Sequence, residues 1–128
     1  MSEEVKKKIL IVEDDSFVMD IYQTKLGQSG YDVVGADNGL EALKKVKEEG
    51  PFDLMLLDIV MPYMDGLEIL KKIKSDEKNK NLPIILLTNL SQKEEVDKGL
   101  ELGAKDYLIK SHFTPSEVLE KIEGYLDK

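Results

Sequence analysis

Four polar side chains, plus a second acid beside the first, stand where apolar runs end, and their types suit the handling of a phosphoryl group. Ile9-Leu10-Ile11-Val12 runs into the acids Glu13 and Asp14, and Leu54-Met55-Leu56-Leu57 runs into Asp58. Ile84-Ile85-Leu86-Leu87 ends at Thr88, and the shorter Tyr107-Leu108-Ile109 ends at Lys110. Neighbouring strands lie about 4.8 Å apart, so carboxylates at adjacent tips approach within about 5 to 8 Å. Two like charges about 5 Å apart repel by about 3 kcal/mol at an effective dielectric of about 20, so three such acids favour a cation. Oxygen donors without histidine or cysteine suit Mg2+ or Ca2+, and a few carboxylates with room for water and phosphate suit Mg2+. Asp58 is then the candidate nucleophile. The cation and Lys110 would neutralise the transferring oxygens, and Thr88 would donate a hydrogen bond to one of them.

Those tips meet only if the apolar runs are neighbouring parallel strands. Continuous apolar runs of four fit strands buried on both faces, separated here by segments with helical spacing. The expected stripes are Phe17, Val18, Ile21, Tyr22 and Leu26; Ala42, Leu43 and Val46; then Leu67, Ile69, Leu70 and Ile73. The fourth helix is less apolar, with Val96, Leu100, Gly99 and Gly103 as its inward candidates. Thr114-Pro115-Ser116-Glu117 is a capping box with proline at the first helical position, followed by Val118, Leu119, Ile122 and Leu126. Asp15 lies where an acid caps the first helix. A mixed second strand at Tyr31 to Ala36 and the short fifth suit sheet edges. The expected fold is therefore α/β, a doubly wound five-stranded parallel sheet in the order 2-1-3-4-5 with helices on both faces. Ligands of such open sheets bind outside the carboxyl ends of the strands, where the polar tips converge.

Bulk composition narrows the function classes. The 128 residues suit one domain. There is no cysteine, so disulfides and thiolate metal sites are excluded. Eighteen basic residues against 26 acidic ones give a formal charge of -8, which opposes direct nucleic-acid binding. Lys6-Lys7-Lys8 reads as a solvated flank of the first strand. The first residues lack the apolar stretch of a signal peptide, and no run approaches the ~20 apolar residues that span a bilayer, so a cytoplasmic protein without membrane contact is expected. His112, the only histidine, reads as a solvated loop residue.

The blocks Ile9 to Asp15, Leu56 to Pro62, Asp65-Gly66, Leu87-Thr88 and Gly103 to Lys110 occur in the order of, and resemble, the receiver domain of two-component response regulators, over about residues 8–126. The strand order above is also that family's own. The resemblance implies that Asp58 accepts a phosphoryl group from a histidine kinase or histidine phosphotransfer protein. It implies that Asp14, Asp58 and the backbone carbonyl of Val60 bind Mg2+ directly, with Glu13 acting through water. Thr88 and Lys110 match the family's phosphate-sensing pair, and Tyr107 its aromatic switch. The output surface would be the fourth helix, fifth strand and fifth helix, meeting a downstream protein partner because no output domain is attached. Such a protein gains and loses its own phosphate rather than working as a turnover enzyme. Ser111 stands where the family usually has a cis proline, which leaves the shape of that loop open. Asn89 is bulkier than the family's usual residue, and the apolar Val60 and Leu90 suggest a long-lived phosphorylated state. Two alternatives are a degenerate receiver that is not phosphorylated and an aspartate-nucleophile phosphohydrolase. The hydrolase usually needs an acid where Val60 stands. A flavin domain of similar layout would need a phosphate loop that Glu13-Asp14-Asp15 would repel.

Overall fold

The computed structural model describes residues 6–59, 66–88, 93–112 and 114–126. Five strands alternate with five helices: β1 (Lys8–Val12), α1 (Ser16–Gln28), β2 (Asp32–Ala36), α2 (Gly39–Glu49), β3 (Leu54–Asp58), α3 (Gly66–Lys74), β4 (Ile84–Thr88), α4 (Lys93–Glu101), β5 (Asp106–Ile109) and α5 (Pro115–Leu126). The sheet is parallel throughout, in the order β2-β1-β3-β4-β5. β3 and β4, the central pair with the most continuous apolar runs, are buried along their whole length. β2 and β5 are the edges and are more open.

Alternation along each strand splits the interior in two. Ile9, Ile11, Leu54, Leu56, Ile85, Leu87 and Leu108 pack with Tyr22 and Leu26 of α1 and Val118, Ile122 and Leu126 of α5. Leu10, Val12, Met55, Leu57, Ile84 and Leu86 face the other way, against Ala42 of α2, Ile69, Leu70 and Ile73 of α3, and Val96 of α4. Each such side chain, fully buried, contributes about 1.5 to 3 kcal/mol.

Local signals place the helix ends. Asp15 caps α1 by accepting hydrogen bonds from the Phe17 and Val18 amides at 2.9 and 3.2 Å. The capping box of α5 is reciprocal: Glu117 N-H donates to Thr114 Oγ1 at 3.2 Å, and Thr114 N-H donates to Glu117 Oε1 at 2.9 Å. Gly103, at φ 115, ends the α4 segment in a conformation that side chains with a Cβ avoid.

Three residues expected to face inward lie outside the core: Phe17, Leu100 and Gly103, the last exposed in the turn that follows α4. Phe17 is 73% exposed, because the first turn of α1 has no layer of the core against that face. Leu100 is 38% exposed, while Val96 and Gly99 form the buried side of α4. Gly99 allows that approach, since a Cβ there would meet Leu86 Cδ1 at 2.4 Å.

Candidate functional site

Strand register carries the charged tips together. Val12 pairs with Leu57, so Glu13 and Asp58 are the next residues along adjacent strands. Asp58 pairs with Leu87, which sets Thr88 one step beyond it, and Thr88 pairs with Ile109 immediately before Lys110. Glu13, Asp58 and Lys110 continue the alternation of Ile11, Leu56 and Leu108, so they leave the sheet on the α1 and α5 side. Thr88 continues that of Leu86, toward α3 and α4.

The Lys110 ammonium donates to Glu13 Oε1 at 2.7 Å and to Asp58 Oδ2 at 3.1 Å, although β5 lies beyond β4 from both of their strands. Glu13 is 1% exposed and Asp58 5%. Glu13 is fixed further by its own N-H donating to the Ala36 carbonyl at 3.0 Å, while its Oε2 accepts from the Asp15 amide at 3.2 Å. Asp14, exposed beside them, completes a set in which one carboxylate oxygen from each of Glu13, Asp14 and Asp58 lies within 4.8 Å of the others. Three hard oxygen donors at that spacing fit a small divalent cation.

Charge states follow from this crowding. Burial raises the Glu13 carboxyl above its ordinary range; the Lys110 bond opposes that effect and the Asp58 charge reinforces it. Asp14 is raised as well, by partial desolvation and then by Glu13. Burial alone would lower Lys110, yet the bond to Glu13 and the charges of Asp58 and Glu13 outweigh it and hold the ammonium above the ordinary lysine value. The ammonium is therefore charged at neutral pH, and it divides its attraction between two acids.

Thr88 is buried at 1% exposure. Tyr107 is 40% exposed at the sheet edge, on the face of β5 away from Leu108. After Lys110 the chain enters a single 3-10 turn, Lys110–His112, with Ser111 and His112 exposed. Among the described residues the cis peptide is Gly50–Pro51, so Lys110–Ser111 is trans. Val60, Met61, Pro62, Asp65, Asn89 and Leu90 lie outside the described residues.

Three features were not drawn from the sequence. The Glu13–Lys110 pair is one, since nothing local ties residues 97 positions apart. A second is Gly66, whose absent Cβ would lie 2.4 Å from the Asp58 carbonyl oxygen and 2.7 Å from Ile59 Cα; its N-H donates to the Ile59 carbonyl at 2.7 Å. The Asp65-Gly66 dipeptide signalled a turn but not this contact. Third, Asp106 gathers Tyr125 Oη, Lys121 Nζ at 3.8 Å and the Tyr107 amide at 2.7 Å, tying α5 to the start of β5.

Comparison with known proteins gives the same architecture. The response regulator receiver domain profile matches residues 9–123. The alkaline phosphatase synthesis transcriptional regulatory protein PhoP of Bacillus subtilis is 43% identical over 124 residues, covering 95% of this chain and 49% of PhoP. Chemotaxis protein CheY1 of Helicobacter pylori strain 26695 is 38% identical, covering 93% of this chain and 96% of CheY1. The chain thus spans about half the length of the transcriptional regulators it matches, and nearly all of CheY1. Among solved structures, a CheY-like receiver domain protein from Methanospirillum hungatei superposes with a TM-score of 0.88 at 34% identity, covering 96% of this chain and 95% of that one. The chemotaxis protein CheY4 of Vibrio cholerae gives 0.88 at 31% identity, covering 95% of this chain and all of that one.

Proposed function

Because the chain belongs to the response regulator receiver domain family of two-component systems, we propose that it is a phosphorylation-dependent switch whose phosphoacceptor is Asp58. The observation that carries this reading is the single ammonium of Lys110 bridging Asp58 and Glu13 inside a three-carboxylate cluster. An Asp58 oxygen attacks the phosphorus of a phosphohistidine on a kinase or phosphotransfer protein. The O-P bond forms as the N-P bond breaks, and the imidazole leaves with the electron pair and takes a proton from water. Asp14 and Asp58, with Glu13 in support and the Val60 carbonyl as the family resemblance implies, would hold Mg2+, which when bound would supply charge neutralisation for the acids and the phosphoryl oxygens. Lys110 shifts its bond from Asp58 to a phosphoryl oxygen, and Thr88 donates to another.

The modification adds about -1.5 to -2 charges at a site that already concentrates anions. Drawing Thr88 and Lys110 inward moves the ends of β4 and β5, and Tyr107 turns from its exposed position toward the interior. The surface of α4, β5 and α5 then meets a downstream protein, and the formal charge of -8 keeps the chain itself off nucleic acid. The protein works in the cytoplasm, as a regulator that loses its phosphate to water and not as a turnover enzyme. Incubation with acetyl phosphate and Mg2+, followed by intact mass, tests the assignment. Wild type gains one phosphate and Asp58→Asn gains none. No gain in wild type would make the chain a degenerate receiver, and rapid turnover to free phosphate would make it a hydrolase.

A further inference from the structure

At the amino ends of the strands, across the sheet from the acid cluster, the last turns of α2 and α3 flank a groove of about 760 Å3. That is the size of a small-molecule site, for which about 300 to 1,000 Å3 is usual. Its floor is apolar: Leu43 and Val46, half-buried on α2, lie beside Ile73 of α3. Its rim carries Lys47, Lys72 and Lys78. The side-chain ammonium groups of these three form no ion pair or hydrogen bond among the described residues, whereas the nearby acids Glu49 and Glu77 already hold Lys45 and Lys80. The lining carboxylate of Asp76 offsets one of the three lysine charges, while its oxygens accept from the Lys78 amide at 3.0 Å and from Asn79 Nδ2 at 3.3 Å. Lysines in a last helical turn complement the helix dipole, which accounts for Lys47 and Lys72. Lys78 lies in the turn after α3, where that explanation does not reach. In a chain of formal charge -8, three ammonium groups against one carboxylate give this groove a local positive excess around an incompletely covered apolar floor.

We propose that this groove binds a small amphipathic anion: an apolar body of ring size lies over Leu43, Val46 and Ile73, and a phosphate, sulfonate or carboxylate group is held by Lys47, Lys72 and Lys78. The site is independent of Asp58 chemistry. Its test uses 8-anilinonaphthalene-1-sulfonate as probe and N-phenyl-1-naphthylamine as its uncharged counterpart, with fluorescence titration and amide chemical-shift mapping on the full chain. The sulfonate is expected to bind one to one, shifting amides of α2, α3 and the 75–79 turn. The uncharged amine should bind about tenfold more weakly, and the Lys47→Gln/Lys72→Gln/Lys78→Gln variant should lose about tenfold in affinity for the sulfonate, as charge-assisted contacts are lost. A Lys44→Gln/Lys71→Gln control, on exposed positions outside the groove, should bind as wild type. Retained phosphate uptake by the triple variant shows that it is folded. No binding, equal affinity for the two probes, unchanged affinity in the folded triple variant, or shifts centred elsewhere would each overturn the proposal. So would self-association at the titration concentrations, which would make a second copy the occupant.

Discussion

At the scale of single residues, Lys110 is the group on which the site balances. Replacing it in Lys110→Met leaves the buried Glu13 and Asp58 carboxylates facing each other without an ammonium. The expected loss is about 1 to 3 kcal/mol at pH 7, measured by urea unfolding. Because burial raises the Glu13 carboxyl, lowering the pH neutralises that acid, so the gap between variant and wild type should narrow as the solution is acidified. Tyr125 makes the opposite kind of prediction. Burial first, and then its bond to Asp106, push its phenol up to about 12 from an ordinary 10.0. A raised value means that the folded state keeps its proton where the unfolded chain gives it up. The resulting stabilisation is complete below pH 10 and fades as the pH rises through about 12. An absorbance titration should show one tyrosine ionising near that value in wild type and missing in Tyr125→Phe, and the variant should lose stability less steeply with alkali.

At the scale of elements, what was legible in the sequence depended on whether a feature is local or periodic. The runs at Ile9, Leu54 and Ile84 announce strands buried on both faces, and the order of edges and centre follows from which runs are most continuous. Thr114 and Glu117 cap α5 from three residues apart, a spacing visible in one dimension. The polar tips that line one edge could be collected in the same way. Side-chain direction at a helix end could not: Phe17 belongs to the apolar stripe of α1 by period, but its turn projects past the layer that would cover it. Nor could long-range choices of partner, such as Lys110 taking Glu13 together with Asp58, or the seating of α3 on the end of β3. That seating gives the clearest test at this scale. In Gly66→Ala the new Cβ meets backbone atoms of Asp58 and Ile59, which cannot swing aside as a side chain can. A loss of about 2 to 3 kcal/mol in thermal or urea unfolding is expected, with slower phosphate uptake because the acceptor strand end is displaced.

For the whole molecule, excess negative charge and a three-acid cluster respond differently to salt. Self-repulsion of the -8 chain is screened by any electrolyte, since the Debye length falls from about 30 Å at 0.01 M to about 10 Å at 0.1 M. Sodium chloride should therefore raise the melting temperature of every variant alike. Mg2+ at matched ionic strength should add a separate increment, about 2.7 kcal/mol at a hundred times its dissociation constant. Calorimetry should find that increment reduced in Asp14→Asn and in Asp58→Asn, with the sodium effect intact.

The sheet also partitions the interior into two compartments that, among the described residues, share no buried side chain. Lys110 emerges above one of them and Thr88 above the other, with Asp58 on the strand between. In the phosphorylated state proposed above, a tetrahedral group on Asp58 gripped from both sides would act as a rivet through the rim of the sheet. The compartment beneath α4 and the one beneath α5 would then be mechanically joined at the strand ends.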